Sequence, residues 1–224
     1  MLRKVILDIK TIRNPLMVMA IICFLMLPAV NYYQMRDFPM HLTLGSVLSQ
    51  AQLILPLASS IPIAFLLWYY MQSGCSEVIH SQAAMQQAGP WSILILELLL
   101  QLYSVPVFLW YWHKCGVFLW PELLRTVVQA FFLQNLAYAA VYLTHSHMAG
   151  LAVQVLVAGV MQLVLLNRAD ENNLFCTLNI YAKLTTEHPR PWEPLRLSLT
   201  VLCGVGLWLV GKRKTSFFLD GGSL

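Results

Sequence analysis

Residues 91–112 read WSILILELLLQLYSVPVFLWYW, and Glu97 is the only formal charge among them. As a helix rising 1.5 Å per residue this stretch is about 33 Å long, enough to cross the roughly 30 Å hydrocarbon core of a bilayer. A soluble helix of that length carries a charged face, and none is present. The stretch therefore predicts a membrane-spanning helix, and comparable runs lie on either side: Pro15 to Tyr33, Val47 to Met71, Phe118 to Leu143, Met148 to Leu166 and Leu195 to Val210. The last is the shortest, since Leu197 to Val210 alone gives about 21 Å, and Arg196 and Lys212 are expected to snorkel outward from it.

Composition agrees. The chain is 58% hydrophobic and 11% charged over 224 residues, against roughly a quarter charged in ordinary globular domains. That excludes most soluble enzymes, disordered tails and disulfide scaffolds. Backbone amides find no water in hydrocarbon, so the crossings are continuous helices, and the alternating pattern of a membrane barrel is absent. The expected fold is an all-α integral membrane protein of six transmembrane helices occupying 15–211, with 212–224 as a tail. Pro28, Pro56, Pro62 and Pro106 fall inside the runs and predict kinks rather than ends.

Residues 1–14 differ from the rest. Arg3, Lys4, Asp8, Lys10 and Arg13 alternate with Leu2, Val5, Ile6, Ile9 and Ile12 at helical spacing, which predicts an amphipathic helix lying in the membrane interface. Asn14-Pro15 is expected to end it. A cleaved signal peptide would place its apolar run earlier and finish in small residues.

The total Lys and Arg count is the same on the two sides, but the comparison around single spans is not. Arg3, Lys4, Lys10 and Arg13 precede the first span against Arg36 after it, and Lys212, Arg213 and Lys214 follow the last against Arg190 and Arg196 before it. The positive-inside rule then places both termini in the cytoplasm. Residues 72–90 become the principal cytoplasmic loop, His145 to His147 a tight inner turn, and 167–194 a charged outer connection.

Motifs of catalysis are missing. Gly206 to Lys212 imitates a phosphate loop, but Arg213 stands where a Ser or Thr must hold magnesium, and the segment is an apolar span. The six histidines fall in loops or at span ends, not as the facing pair a bundle haem needs. His145 and His147 flank Ser146 as a solvated turn or, less simply, a metal pair. The five cysteines show no paired spacing. The expected cofactor complement of this chain is none, and its basic residues form no face for nucleic acid. Glu97 is either a cavity-lining or interhelical contact or a carboxylate snorkelling to the inner surface. Glu122 and Arg125, one turn apart, read as an interfacial pair. Gln50, Gln52, Gln101, Gln129, Gln134, Asn135, Gln154 and Gln162 either bridge helices or line a polar path. Trp68-Tyr69-Tyr70 and Trp110-Tyr111-Trp112 read as interfacial belts.

In order, the amphipathic start, the span after Arg13-Asn14-Pro15, the polar inner loop and the charged outer connection resemble the membrane subunits of ABC transporters of the type-2 exporter class. Two local stretches carry the likeness: Asp8-Ile-Lys-Thr-Ile-Arg13-Asn-Pro15, similar to that family's elbow helix, and Ser73-Gly74-Cys-Ser-Glu77-Val-Ile79, similar to its loop motif of Gly, two residues, an acidic and a hydrophobic residue. The resemblance implies a permease working as a dimer in the bacterial plasma membrane, with identical or related second chain and ATP held on separate ATP-binding subunits. It implies that Gly74, Ser76, Glu77, Val78, Ile79 and His80 form the contact with those subunits. The residues agree: Gly74 permits a sharp turn, Ser73 or Ser76 caps a following helix, and Glu77 in a first turn favours its dipole. The rival readings are an ATP-independent carrier or membrane immunity protein, and an integral-membrane enzyme using Glu97, His113 and His145.

Overall fold

The structure, a computed structural model, describes residues 2–37, 40–71, 83–116, 119–144, 146–166 and 193–220, and the regular structure within them is entirely helical. Helix α1 (Leu2–Thr11) leads through Ile12 into α2 (Arg13–Ile21), a π-helical turn (Ile22–Met26) and α3 (Leu27–Asp37). There follow α4 (Met40–Met71), α5 (Ala83–Gln101), α6 (Ser104–Cys115), α7 (Trp120–Thr144), α8 (His147–Leu166) and α9 (Glu193–Asp220). Five stretches of the described residues are long and apolar enough to cross a membrane: Arg13–Arg36, Leu44–Tyr70, Pro90–Cys115, Trp120–Thr144 and Pro194–Lys212. The run at 148–166 forms α8, 20 residues in all, of which the apolar part Met148–Val160 is described in full and is shorter than these five. The protein is thus a multi-pass membrane protein by helix length and composition.

Each proline acts differently. Pro15 does not end the first helix: the break falls at Ile12 (φ −94°, ψ 19°), and Pro15 sits in the first turn of α2, where a missing N–H removes no helical bond. Ahead of Pro28 the helix widens into its π turn, the Leu27 N–H donating to Ile22 O, which relieves the clash a proline ring makes with the preceding turn. Pro56 and Pro62 lie within the unbroken α4. Pro106 does more than kink, because the third span is interrupted at Leu102 and Tyr103 and resumes as α6. The Leu102, Tyr103 and Val105 amides donate to carbonyls only three residues back, those of Leu99, Leu100 and Leu102, at 3.1–3.3 Å, and Pro106 has no N–H with which to restore the α pattern. The last span is longer than its apolar core suggests, α9 running 28 residues.

Helices α4 and α7 form the centre. Helix α7 touches α4, α5, α6, α8 and α9, while the first span lies against α4 and α6. Two-thirds of the α4 and α7 spans is buried (67% each) against 22% for the first span and 28% for the last. Helix α9 seats on α7 along Arg196, Thr200, Gly204, Trp208 and Gly211, all buried. A β-carbon on Gly204 would stand 2.8 Å from the Phe131 ring, and one on Gly211 2.4 Å from the Tyr138 ring. Each step of seven on one helix matches seven on the other, so α7 and α9 run parallel. Gly150 instead meets Val141 and Ala137 while Gln154 reaches Leu133 O, so α8 runs antiparallel to α7. Ser146 makes that turn tight, its Oγ accepting from the Ala149 N–H at 3.4 Å as an N-cap.

Candidate functional site

The centre of the bundle is polar at every level of α7. Nearest its start, Glu122 and Arg125 pair at 3.7 Å, and the Gln52 amide of α4 donates to the same Glu122 oxygen. The pair lies at the start of α7 and is shielded by protein, Arg125 being 1% exposed. Two turns on, Gln101 Nε2 donates to Gln134 Oε1 at 2.7 Å and Gln134 Nε2 donates to Ser59 O at 3.1 Å. Beside it, Ser60 Oγ donates to Gln154 Oε1 at 2.8 Å, and Gln154 Nε2 to Leu133 O at 2.8 Å.

Glu97 comes next. It is fully buried and accepts from Asn135 Nδ2 at 3.0 Å, the same nitrogen donating to Phe131 O at 2.9 Å. Of its two readings the interhelical contact holds, and snorkelling does not. Of the amides that the sequence offered as either bridges or path, Gln52, Gln101, Gln134, Asn135 and Gln154 bond to neighbouring helices. Two cavities accompany them. One of about 10 Å³, the space of a single water, lies at the break in the third span among Cys23, Ser59, Gln101, Ser104 and Thr126. The other, about 180 Å³, lies between α6 and the start of α7, lined by Val105, Phe108, Leu109, Trp112, Trp120 and Leu123. It fits a hydrocarbon chain and offers a polar solute nothing to bond.

A second cluster lies at the end of α4 and along the start of the third span. Tyr70, at the end of α4, donates from its hydroxyl to Asp8 Oδ1 of α1 at 2.5 Å. Lys4 Nζ stands 5.1 Å from the Tyr70 ring centre, and Ser92 of α5 faces the same carboxyl. Burial pushes Asp8 above the usual carboxylate range, against the hydrogen bond from Tyr70 and the charge of Lys4; burial likewise lowers Lys4, which Asp8 opposes. On the other side Trp208 Nε1 donates to Pro90 O at 3.2 Å, the Trp91 and Trp208 rings meet edge-on at 5.0 Å, and Lys212 Nζ lies 5.1 and 5.2 Å from them. Helix α1 therefore meets the end of α4, and α9 meets Pro90 and Trp91.

Gly74, Ser76, Glu77, Val78, Ile79 and His80 lie outside the described residues, as do His145 and the side chain of His147. Helix α5 begins at Ala83, so the last turns of the expected loop are helical. His113 is exposed in the last turn of α6, about 24 Å of helix from Glu97. Arg196 does not snorkel; it is buried against the bundle. Gly206 to Lys212 lies inside the continuous α9 and has no loop for phosphate. Among the described residues no group of His, Cys, Asp and Glu gathers for a metal.

Sequence reasoning missed the Asp8–Tyr70 bond, although a signal existed. Val5, Asp8 and Ile12 form one helical stripe, all three buried, whereas Asp8 was assigned to the wet face with the lysines. It also missed the bond from Asn31 to the Tyr111 hydroxyl, which turns one member of an expected aromatic belt inward. Comparison with family models, with curated proteins and with solved structures gives no match to this chain.

Proposed function

We propose that this chain is the membrane-spanning permease subunit of an ATP-driven ABC exporter, acting as a dimer with separate ATP-binding subunits that grip the cytoplasmic segment around Glu77. The reading includes six crossings with both termini cytoplasmic. Its support is directional: α7 and α9 run parallel, and the chain between them must return across the bilayer once, through α8. About 20 residues of helix suffice for that. With α8 counted, α9 reaches the side of α1 and the end of α4, where Lys212 meets Trp91. Ile6, Leu7 and Ile9 remain exposed on α1, the side an interfacial helix turns to lipid.

The observation that carries the functional reading is the double grip on the segment. Tyr70 before it is tied to α1, and Pro90 and Trp91 after it are tied to α9. A push on Glu77 from a motor would be delivered at once to the first, second, third and last spans, which is what rocking of a bundle requires. A ligand or motor shifts such an equilibrium only through different contacts in the two states, and the segment is where those contacts would change. ATP would be bound and hydrolysed on the partner; no cofactor is assigned to this chain.

Purification of the intact protein from gentle detergent tests this. An ATP-binding subunit should co-purify, and Glu77→Arg should abolish stimulation of its ATPase; a chain that purifies alone, or a variant that couples normally, overturns the reading. Labelling of Cys75 from outside intact cells would also refute it. The second reading, an ATP-independent carrier, is favoured by one observation, the broken third span beside buried Glu97, since interrupted helices and intramembrane carboxyls mark solute or ion pathways. Solute movement by the purified chain in vesicles, without nucleotide, would select it.

A further inference from the structure

Glu97 and Asn135 present an unfinished pair. Asn135 Nδ2 donates to Glu97 Oε2 at 3.0 Å, which sets a carboxyl and a primary amide side by side between α5 and α7. Both residues are fully buried. Their other two oxygens, Glu97 Oε1 and Asn135 Oδ1, are buried acceptors with no hydrogen-bond donor. A buried acceptor left without a donor is destabilising, and here two stand on groups already joined through their other atoms. One proton on Oε1 would satisfy both, the carboxylic O–H donating to the amide oxygen while the amide N–H donates to Oε2.

We propose that Glu97 and Asn135 form a proton-binding site between the third and fourth spans, holding one exchangeable proton on Glu97 Oε1 against Asn135 Oδ1. The proton comes from water and returns to water, no other bond is made or broken, and the ligand is the proton alone. Its loss leaves a charged carboxylate and two buried acceptors without a donor, so release of the proton works to part α5 from α7. The charged neighbours do not supply a substitute. Helix α1 brings Lys4 and Asp8, α4 brings Tyr70 and α9 brings Lys212, all around Trp91 and Ser92, about 7–9 Å along the axis from Glu97. On α7, Glu122 and Arg125 lie about 15 Å or more along the helix from Asn135 and are engaged with each other; Tyr138 and Tyr142 lie one and two turns beyond Asn135. On α9, Arg196 sits at the level of Leu123, by the register that sets Gly204 on Phe131. Among the described residues, the polar group acting on Glu97 is the Asn135 amide. The site stands independently of the exporter reading, since it needs no partner subunit.

Infrared spectroscopy of the full chain in lipid vesicles at pH 7 decides it. A carboxylic C=O band, distinct from carboxylate, should be present in the wild type, vanish in Glu97→Gln, and move to the frequency of a carboxyl without its amide partner in Asn135→Leu. Glu97→Gln should fold, since its amide donates to Asn135 Oδ1 as the acid would. Asn135→Asp is the safeguard: an acid–acid pair closes the same ring and should strengthen the band. Spectra of wild type and Glu97→Gln that coincide in the carboxylic region overturn the proposal. So does an Asn135→Asp spectrum with no gain there.

Discussion

The spans at the two ends of the chain and those at its centre are held in different ways. Helices α4 and α7 are two-thirds buried, and the first and last spans less than a third. In hydrocarbon, burial of apolar surface gives little, because lipid is as apolar as leucine; what remains is close packing and hydrogen bonding. The centre accordingly invests in amide bonds at successive depths. The last span seats along a stripe of α7 that includes two glycine notches against Phe131 and Tyr138, and the first is bonded through Asn31 to Tyr111, with α1 ahead of it tied to Tyr70 through Asp8. The peripheral helices thus carry fewer interhelical amide bonds than the centre, and the last depends on close backbone approach, where a single substitution can loosen the helix.

The sharpest break of that contrast is Gly211→Leu. The side chain has to displace the Tyr138 ring, which a β-carbon alone would approach to 2.4 Å, and overpacking of this kind costs about 1–3 kcal/mol. Thermal unfolding in mild detergent should show the loss, whereas Gly206→Leu, where nothing stands within 4 Å of the new β-carbon, should leave the transition unchanged. Equal effects at the two glycines would refute the notch.

A smaller loss is expected at the centre. Gln134→Leu strips Gln101 of its acceptor and the Ser59 carbonyl of its donor. Interhelical hydrogen bonds in membranes are worth about 0.6–1.7 kcal/mol each, so denaturant unfolding should shift by about 1–2 kcal/mol. Tyr70→Phe should cost about 1 kcal/mol, but locally: hydrogen exchange should quicken across α1 while the global transition stays in place. Uniform quickening across all helices would mean that α1 is not a separately attached element.

Much of this was legible in residue order because hydrocarbon enforces it. A run such as 91–112 has no soluble alternative, so the spans and the amphipathic start follow from composition and spacing alone. The amides were visible as a set, yet their pairings depend on helix rotation: Gln101 with Gln134 and Gln154 with Ser60 require facing stripes that no single helix specifies. Pro106 announced a disturbance but not its form, since breaking the span at Leu102 also used the Ser104 hydroxyl bonded to Gln101 O. Asp8 was misassigned for a simpler reason. A charged residue among lysines reads as wet until a neighbouring helix end supplies a phenol.

That carboxyl gives the smallest and most specific effect. Burial raises Asp8 in the docked helix above the value it takes when α1 is detached, so the docked state binds its proton more readily. The contribution of Asp8 to docking is therefore complete below the ordinary carboxylate pKa and is lost as pH rises through the raised value. Lys4, lowered by burial, works in the opposite sense: its contribution is present above 10.5, the value of a free lysine, and is lost as pH falls through the lowered value. Exchange protection of the α1 amides, corrected for intrinsic rates, should decline from acidic toward neutral pH while protection of α7 stays level. Lys4→Met removes the charge that restrains Asp8, so the midpoint of that decline should move to higher pH, and Asp8→Asn should abolish it. A midpoint that Lys4→Met leaves in place would separate the two residues and dismantle the clasp between α1 and Tyr70.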